Sequence, residues 1–588
     1  MSDLNQGTWA ENIGNTAPQN NTEQASAINN AAAALGTFQA APPQNYTVVQ
    51  GQVTPDTEET KRLKENYGFF GPVTFLYAVF YALCMYRNGS GVTYPFFVAG
   101  SLLLLYFSLS KLGTTLKRGS IFYMAAMLLL GISTFCTDDG RLIFFNKLGI
   151  FLLMMSLLLK QFFNTSEWKL GKYLASIGMT VVSCIGELDR PVKDGLRHRK
   201  ERGISVNKKV WYALLGLIIA VPVLLAVLLL LASADVVFRQ MTGNIFENIR
   251  LGNAMGVTSR IVVVYFVTYA LTAFLCKRNI KEEVPDRRKG EPVLAITVTG
   301  LLTLLYLLFC IVQIVGLFLG KMQLPEGYTY AMYAREGFFQ LLAVSLFNLV
   351  IVLVCMSYFK ESRVLKGILT VMSLCTFVMI ASSALRMVIY IRFYYLTFLR
   401  ILVLWSLAVL MFLFIGVLIN IFRERFPLFR YSMAVVTVFY LALSFAHPDY
   451  IIARVNVANA PHEDMSWWTE EEALKAADDF SQADMFSGRF FLAFQPYHDY
   501  SYLAGLSADA APVLIQYLDE LGYDMAAFGK DSAVAYANKI SGDGVYRGKK
   551  DGFGYFWMER MQIRTESLGI RTFNVSRYWV VQGFDDLR

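Results

Sequence analysis

The chain has 588 residues, of which 55% are hydrophobic and 17% charged, with a mean hydropathy of +0.42. A soluble globular chain is nearer 45–50% apolar and about 25% charged. Here the apolar excess is concentrated between residues 69 and 446, in nearly uncharged runs of roughly 16–28 residues that can cross a hydrocarbon core of about 30 Å. A soluble enzyme, a fibrous chain and a disulfide scaffold are excluded, and the net charge of +8 conceals an acidic C-terminal region with 13 Lys+Arg against 21 Asp+Glu in 447–588.

Residues 1–66 are rich in Asn, Gln, Ala, Thr and Pro. They cannot bury enough apolar surface to offset their ordering entropy, so a disordered cytoplasmic tail is predicted. No apolar run follows Met1-Ser2-Asp3, so no cleavable signal peptide is expected and the first span must itself direct insertion. Eleven spans are predicted, at about 69–86, 93–110, 120–136, 142–159, 210–232, 258–276, 292–319, 336–359, 367–390, 398–421 and 430–446. The expected architecture is an all-α polytopic membrane protein. Four transmembrane helices (67–159) are followed by a cytoplasmic basic segment (160–209), seven more transmembrane helices (210–446) and a small, mostly helical extracytoplasmic C-terminal domain (447–588).

Orientation rests on Lys and Arg in the connectors. In chain order, from the N-terminal tail onward, the counts are 3, 1, 3, 1, 11, 2, 6, 2, 3, 1 and 3. High and low values alternate without a break. The N-terminus is therefore expected in the cytoplasm and, after an odd number of spans, the acidic C-terminal region outside the cell membrane.

Residues 170–188 are moderately apolar. Leu170, Leu174, Ile177, Val181, Cys184 and Leu188 form one helical stripe, with Lys172, Ser176, Ser183 and Glu187 opposite. The pattern predicts an interfacial helix on the cytoplasmic surface, with a twelfth span as the alternative. The basic run Arg197–Arg202 beside it suits anionic inner-leaflet lipid.

In the C-terminal region, Thr469 and Glu472 form a capping box for a helix near 470–480. Ser507 opens a second helix, with Asp509 and Pro512 in its first turn and Gly522 after it. Residues 572–581 read as extended. The seven cysteines all lie in or beside apolar segments, with neither CxxC nor zinc spacing, and read as small core residues.

Several strings recur together in order: Ser233–Phe238, Tyr333–Leu341, Arg392–Arg400, His447–Ala453, Asp499–Leu503 with Leu506–Ala510, and Asn574–Tyr578. In this order and spacing the chain resembles, over about 200–580, the bacterial multi-pass families catalogued as domains of unknown function four-one-five-three and four-one-seven-three. His447 and Phe573 stand where that pattern has Asn and Trp. The resemblance implies a bacterial envelope protein and no particular chemistry.

Ionisable and amide side chains in or beside spans are the candidate site, because such groups are costly in hydrocarbon unless paired or wetted. Lys147, Asp235, Gln313, Glu336, Gln340, Asn348, Arg386 and Arg392 are expected to line an outward-opening polar cleft, with Asp235 and Glu336 pairing with Lys147, Arg386 or Arg392. The alternative is that they are boundary charges and structural ion pairs fixing helix order. The paired carboxylates Asp138-Asp139 and Asp585-Asp586 read as solvated faces. The histidines are isolated, and no HExxH, P-loop or GxSxG motif occurs, so no metal, cofactor or catalytic set is expected. No basic run outside the membrane is interleaved with aromatics, so nucleic acid is not an expected partner.

Three classes of function fit these features. The first is an envelope scaffold or sensory partner that meets another envelope protein through its C-terminal domain. The second is a solute or lipid transporter using the cleft, and the third is a membrane-embedded transferase with Asp235 or Glu336 as a base.

Overall fold

The computed structural model describes residues 56–202, single positions between 216 and 238, and residues 251–282, 288–315, 337–423, 425–459, 500–525, 528 and 553–587, apart from 501 and 567. Among these residues there are helices and no strand. The chain is an all-α, multi-pass membrane protein. In chain order α1 is Glu58–Glu65, α2 Tyr67–Met85, α3 Thr93–Leu112, α4 Ser120–Cys136 and α5 Gly140–Phe162. Then come α6 Leu170–Ile185, α7 Arg190–Glu201, α8 Leu251–Cys276, α9 Pro292–Gln313 and α10 Phe338–Tyr358. They are followed by α11 Arg363–Tyr394, α12 Phe398–Phe422, α13 Leu428–Phe445 and α14 Pro448–Ala458. A 3₁₀ turn at Ala508–Ala510 leads into α15 Ala511–Glu520, and α16 Phe553–Thr565 and α17 Val575–Asp586 complete the described chain.

Nine of these helices are long and apolar enough to cross a membrane. Two of the eleven expected spans are not among them: 210–232 falls largely outside the described residues, and 120–136 forms the shorter α4, of 17 residues. At 1.5 Å per residue α4 is still about 25 Å long. It connects the same two ends as its neighbours, since Ser120 bonds Gln161 at one end and the Cys136 carbonyl accepts from Ser576 at the other.

The outward faces are lined by side chains such as Leu301, Leu304 and Phe422, each 70% or more exposed. Such faces suit lipid and would be costly in water. Inward, small polar residues hold helices together. Asn146 Oδ1 accepts from the Tyr440 hydroxyl and Ser444 Oγ, both at 2.8 Å, and Ser133 Oγ lies 2.6 Å from Ser444 Oγ. These bonds tie α4 and α5 to α13, where hydrocarbon offers no competing water.

The bundle has two distinct ends. At one, α1 meets α3 and α8 (Arg62 to the Leu112 carbonyl, Thr57 to the Cys276 carbonyl), and Trp168 reaches the Glu282 carbonyl. At the other, the Val92 amide bonds the Phe573 carbonyl, Asn574 bonds the Thr137 carbonyl, and Asn456 bonds the Leu396 carbonyl. Among the described residues, Arg62, Lys117 and Arg278 lie at the first end, and Arg87 and Arg141 lie at the second, beside the C-terminal helices.

Three local expectations change. Residues 58–65, expected within a disordered tail, form α1: Thr57 caps it by accepting the Thr60 amide at 3.2 Å, and Leu63 is buried in the core. Residues 575–586 are helical where an extended segment was expected. Asn574 caps α17 by accepting from the Arg577 amide at 3.3 Å, and Ser576, Val580 and Phe584 bury one face at intervals of four. Helical spacing on a buried face outweighs the strand preference of Val, Tyr and Trp. In α6 the packed face is Tyr173, Ser176, Thr180 and Cys184, while Leu174, Val182 and Ile185 are exposed. Small residues allow close approach to α5 and α8, so Ser176, expected on the water-facing side, is buried. The helix predicted near 470–480 lies outside the described residues.

Gly91 marks where the C-terminal chain crosses the α2–α3 connector. A Cβ there would lie 2.5 Å from the Arg571 carbonyl oxygen and 2.7 Å from the Thr572 Cα, both backbone atoms that cannot rotate away. Gly91→Ala is expected to destabilise the protein by about 1–3 kcal/mol and to lower its thermal unfolding midpoint. Gly171→Ala, with open space around the new methyl group, is expected to be neutral or slightly stabilising.

Candidate functional site

A dense charge cluster lies where α16, α17 and the 3₁₀ turn meet the span ends. The α4–α5 connector is only Thr137-Asp138-Asp139, and its two carboxylates are 1% and 3% exposed rather than solvated as the sequence suggested. Asp139 caps α5 through the Arg141 amide at 2.8 Å and also holds the Arg141 guanidinium. Arg141 reaches on to Asp449 Oδ1 at 2.6 Å and lies over the Phe398 ring. Asp138 receives Arg577 Nε at 2.7 Å and the Arg564 guanidinium.

Asp509, fully buried, accepts from the Asp138 amide at 2.7 Å and the Thr137 hydroxyl at 2.5 Å, and lies 3.1 Å from His447 Nδ1. The second oxygen of Asp449 accepts the Ser507 amide at 2.9 Å. Four buried carboxylates therefore face three guanidinium groups and one imidazole. Every bond between the C-terminal segment and a span end in this cluster is charge-assisted or made to a backbone group.

His447 adopts φ 46°, the left-handed region that Asn also tolerates. That backbone turn is what directs α13 into α14 and aims the ring at Asp509. Ser507 has the extended backbone of a cap position, but its side chain caps nothing; its amide is used by Asp449.

Burial alone would raise the Asp509 carboxyl, but His447, the Asp138 amide and the Thr137 hydroxyl outweigh it and hold the group below its ordinary value of 3.8. Asp449 goes the other way. Burial, then the charge of Asp139, raises it above 3.8 against the pull of Arg141 and Ser507.

Of the expected cleft residues, the structure brings Gln313 and Arg386 together. Gln313 Oε1 accepts from Arg386 Nη2 at 3.2 Å and from Ser382 Oγ at 2.7 Å, with both residues buried. Gly337, at φ 122°, closes this group, because a Cβ there would meet Arg386 Nη1 at 2.7 Å. Asn348 is also buried and donates to Thr376 Oγ1 at 3.0 Å.

The others lie elsewhere. Gln340 is exposed. Asp235 is exposed and accepts the amide of Phe238 in its own chain segment at 2.6 Å. Lys147 sits 5.7 Å from the Tyr94 ring. Glu336 and the Arg392 side chain fall outside the described residues. Among the described residues, no three His, Cys, Asp or Glu side chains are placed to hold a metal ion.

The clamped aspartates were visible as a signal in one respect: an Asp directly before a helix, as in Asp139-Gly140-Arg141, is a capping arrangement. Nothing local in the sequence links that connector to Asp449, Asp509, Arg564 or Arg577.

This arrangement defines a multi-pass helical membrane protein whose C-terminal helices are held to the span ends by buried ions. The family model described as a domain of unknown function (DUF4153) matches residues 124–517, and the chain belongs to that family. The match starts earlier than the expected 200, taking in the Thr137–Arg141 turn, and includes His447, Asp449 and Asp509. No curated protein and no solved structure matches the chain.

A carboxylate whose folded pKa is lowered contributes stability that is full above its unfolded value and lost as pH falls through the folded one. Asp509→Asn is therefore expected to cost about 2–3 kcal/mol at pH 7 and to flatten the acid limb of the unfolding midpoint below pH 4. The raised carboxyl of Asp449 has the opposite sign: its ionised form is a penalty, relieved as pH falls through its folded value. Asp449→Asn is expected to cost less than Asp509→Asn at pH 7. Thermal unfolding of the purified chain between pH 3 and pH 7 checks both.

Proposed function

We propose that the protein is a scaffold or sensory partner of the bacterial cell envelope, with its N-terminus in the cytoplasm and its C-terminal helices presented outside to another envelope protein. The observation that carries this reading is the ion clamp. A C-terminal region fixed to several span ends at once is positioned in a set register, which suits holding a partner or passing its state to the spans. The alternation of connector cations supports the orientation, and the basic face of α7 suits anionic inner-leaflet lipid. Kinship with the family numbered four-one-seven-three belongs to the same proposal.

A transporter is the contrasting reading. It needs water to reach the middle of the bundle, whereas Gln313 and Asn348 are 5% and 0% exposed, with their polar groups facing α11. Single cysteines at 313 and 348, placed in a chain whose seven native cysteines are replaced, separate the two. The scaffold reading expects no reaction with a membrane-impermeant thiol reagent at either position. Labelling at either would overturn it in favour of an open path.

A further inference from the structure

At the end of the bundle that carries the C-terminal helices, three guanidinium groups from three different parts of the chain gather on one ring. Tyr86 ends α2. Arg87 from the following connector lies 5.6 Å from its centroid, and Arg260 of α8 and Arg571 of the C-terminal loop each lie 6.0 Å away. A fourth cation, Lys147, flanks the same connector, with its Nζ 3.5 Å from where a Gly89 Cβ would stand.

Arg571 is anchored by donating to the Leu83 carbonyl at 3.0 Å and the Tyr86 carbonyl at 3.4 Å, the open carbonyl end of α2. Among the described residues, Arg260, Arg571 and Lys147 form no ion pair with a carboxylate. This contrasts with the neighbouring clamp, where each arginine has its aspartate.

Like charges gathered beside a low-dielectric phase repel one another and focus a field that draws an anion. Guanidinium groups suit phosphate in particular, because they donate in pairs to its oxygens. The surroundings indicate what carries that phosphate. Leu83, in the last turn of α2, is 61% exposed, and Ile570, next to Arg571, is 94% exposed. Apolar side chains therefore flank the cations at the level where a span ends, which is where acyl chains give way to headgroups, and a tyrosine at that level is typical of the membrane interface.

We propose that the Tyr86 corner binds the phosphate of an anionic phospholipid, with Arg260 as the ligand, Arg87 and Arg571 as neighbouring positive charges, and Leu83 and Ile570 against the lipid's hydrocarbon. The site joins α2, α8 and the C-terminal loop, so a bound lipid bridges the spans and the clamped helices from the membrane side.

The test uses the full chain in detergent, titrated with dioctanoyl phosphatidylglycerol, dioctanoyl phosphatidylcholine and inorganic phosphate, with binding followed by calorimetry. Phosphatidylglycerol is expected to bind at least tenfold more tightly than either other probe. Arg260→Gln is expected to weaken it at least tenfold, and Arg260→Lys to restore part of the loss. Arg571→Gln also releases the α2 carbonyls, so the deciding variant is Arg260→Gln, which removes a cation stacked on the ring without freeing those carbonyls; an unchanged unfolding midpoint shows that its fold is intact. Wild-type affinity in Arg260→Gln overturns the site. Equal binding of phosphatidylcholine overturns the anionic headgroup, and equal binding of inorganic phosphate overturns the lipid.

Discussion

Four aspartates at one end of the helix bundle have almost no contact with water, and the position of the C-terminal helices follows from the groups that pair with them there. Removing a carboxylate from water costs several kcal/mol even after relaxation. Asp138, Asp139, Asp449 and Asp509 meet that cost with Arg141, Arg564, Arg577, His447 and a set of backbone amides. The charged partners come from four different elements: Arg141 from α5, Arg564 from α16, Arg577 from α17 and His447 from the α13–α14 junction. A buried ionic set of this kind confers more specificity than net stability, since only one arrangement of those elements satisfies it. Apolar packing of Leu514, Trp557 and Phe584 brings the C-terminal helices together, and the ions set where the assembly sits on the spans.

Within the spans the same pairing of polar groups holds. Asn146 is used by Tyr440 and Ser444, Gln313 by Ser382 and Arg386, and Asn348 by Thr376. Such pairs fix helix order where the hydrophobic effect cannot, because lipid tails and leucine side chains are equivalent solvents for a helix face. Of the residues expected to line a cleft, Gln313, Asn348 and Arg386 make contacts between neighbouring helices, Asp235 and Gln340 are exposed, Lys147 lies near the Tyr94 ring, and Glu336 and the Arg392 side chain lie outside the described residues.

What could be read in the sequence was what depends on the solvent. Among the described residues, apolar runs of membrane length form helices, because hydrocarbon demands internally bonded backbone. What could not be read was what depends on contacts between distant segments. Asp138-Asp139 looks like a solvated pair until Arg577, hundreds of residues later, is placed beside it. Residues 572–581 look like a strand until Asn574 caps a helix there and Val580 and Phe584 find a core. In α6 the face that packs carries Tyr173 with the small residues Ser176, Thr180 and Cys184, and the aliphatic Leu174, Val182 and Ile185 are exposed.

The clamp is tested most directly by amide hydrogen exchange on the full chain in lipid nanodiscs, comparing wild type with Asp138→Asn. Slow exchange across 575–586 and 511–520 in the wild type is expected, rising in both segments together in the variant while 140–162 stays protected. Fast exchange of 575–586 in the wild type, or no change in the variant, would contradict the claim that buried ions hold the C-terminal helices to the spans.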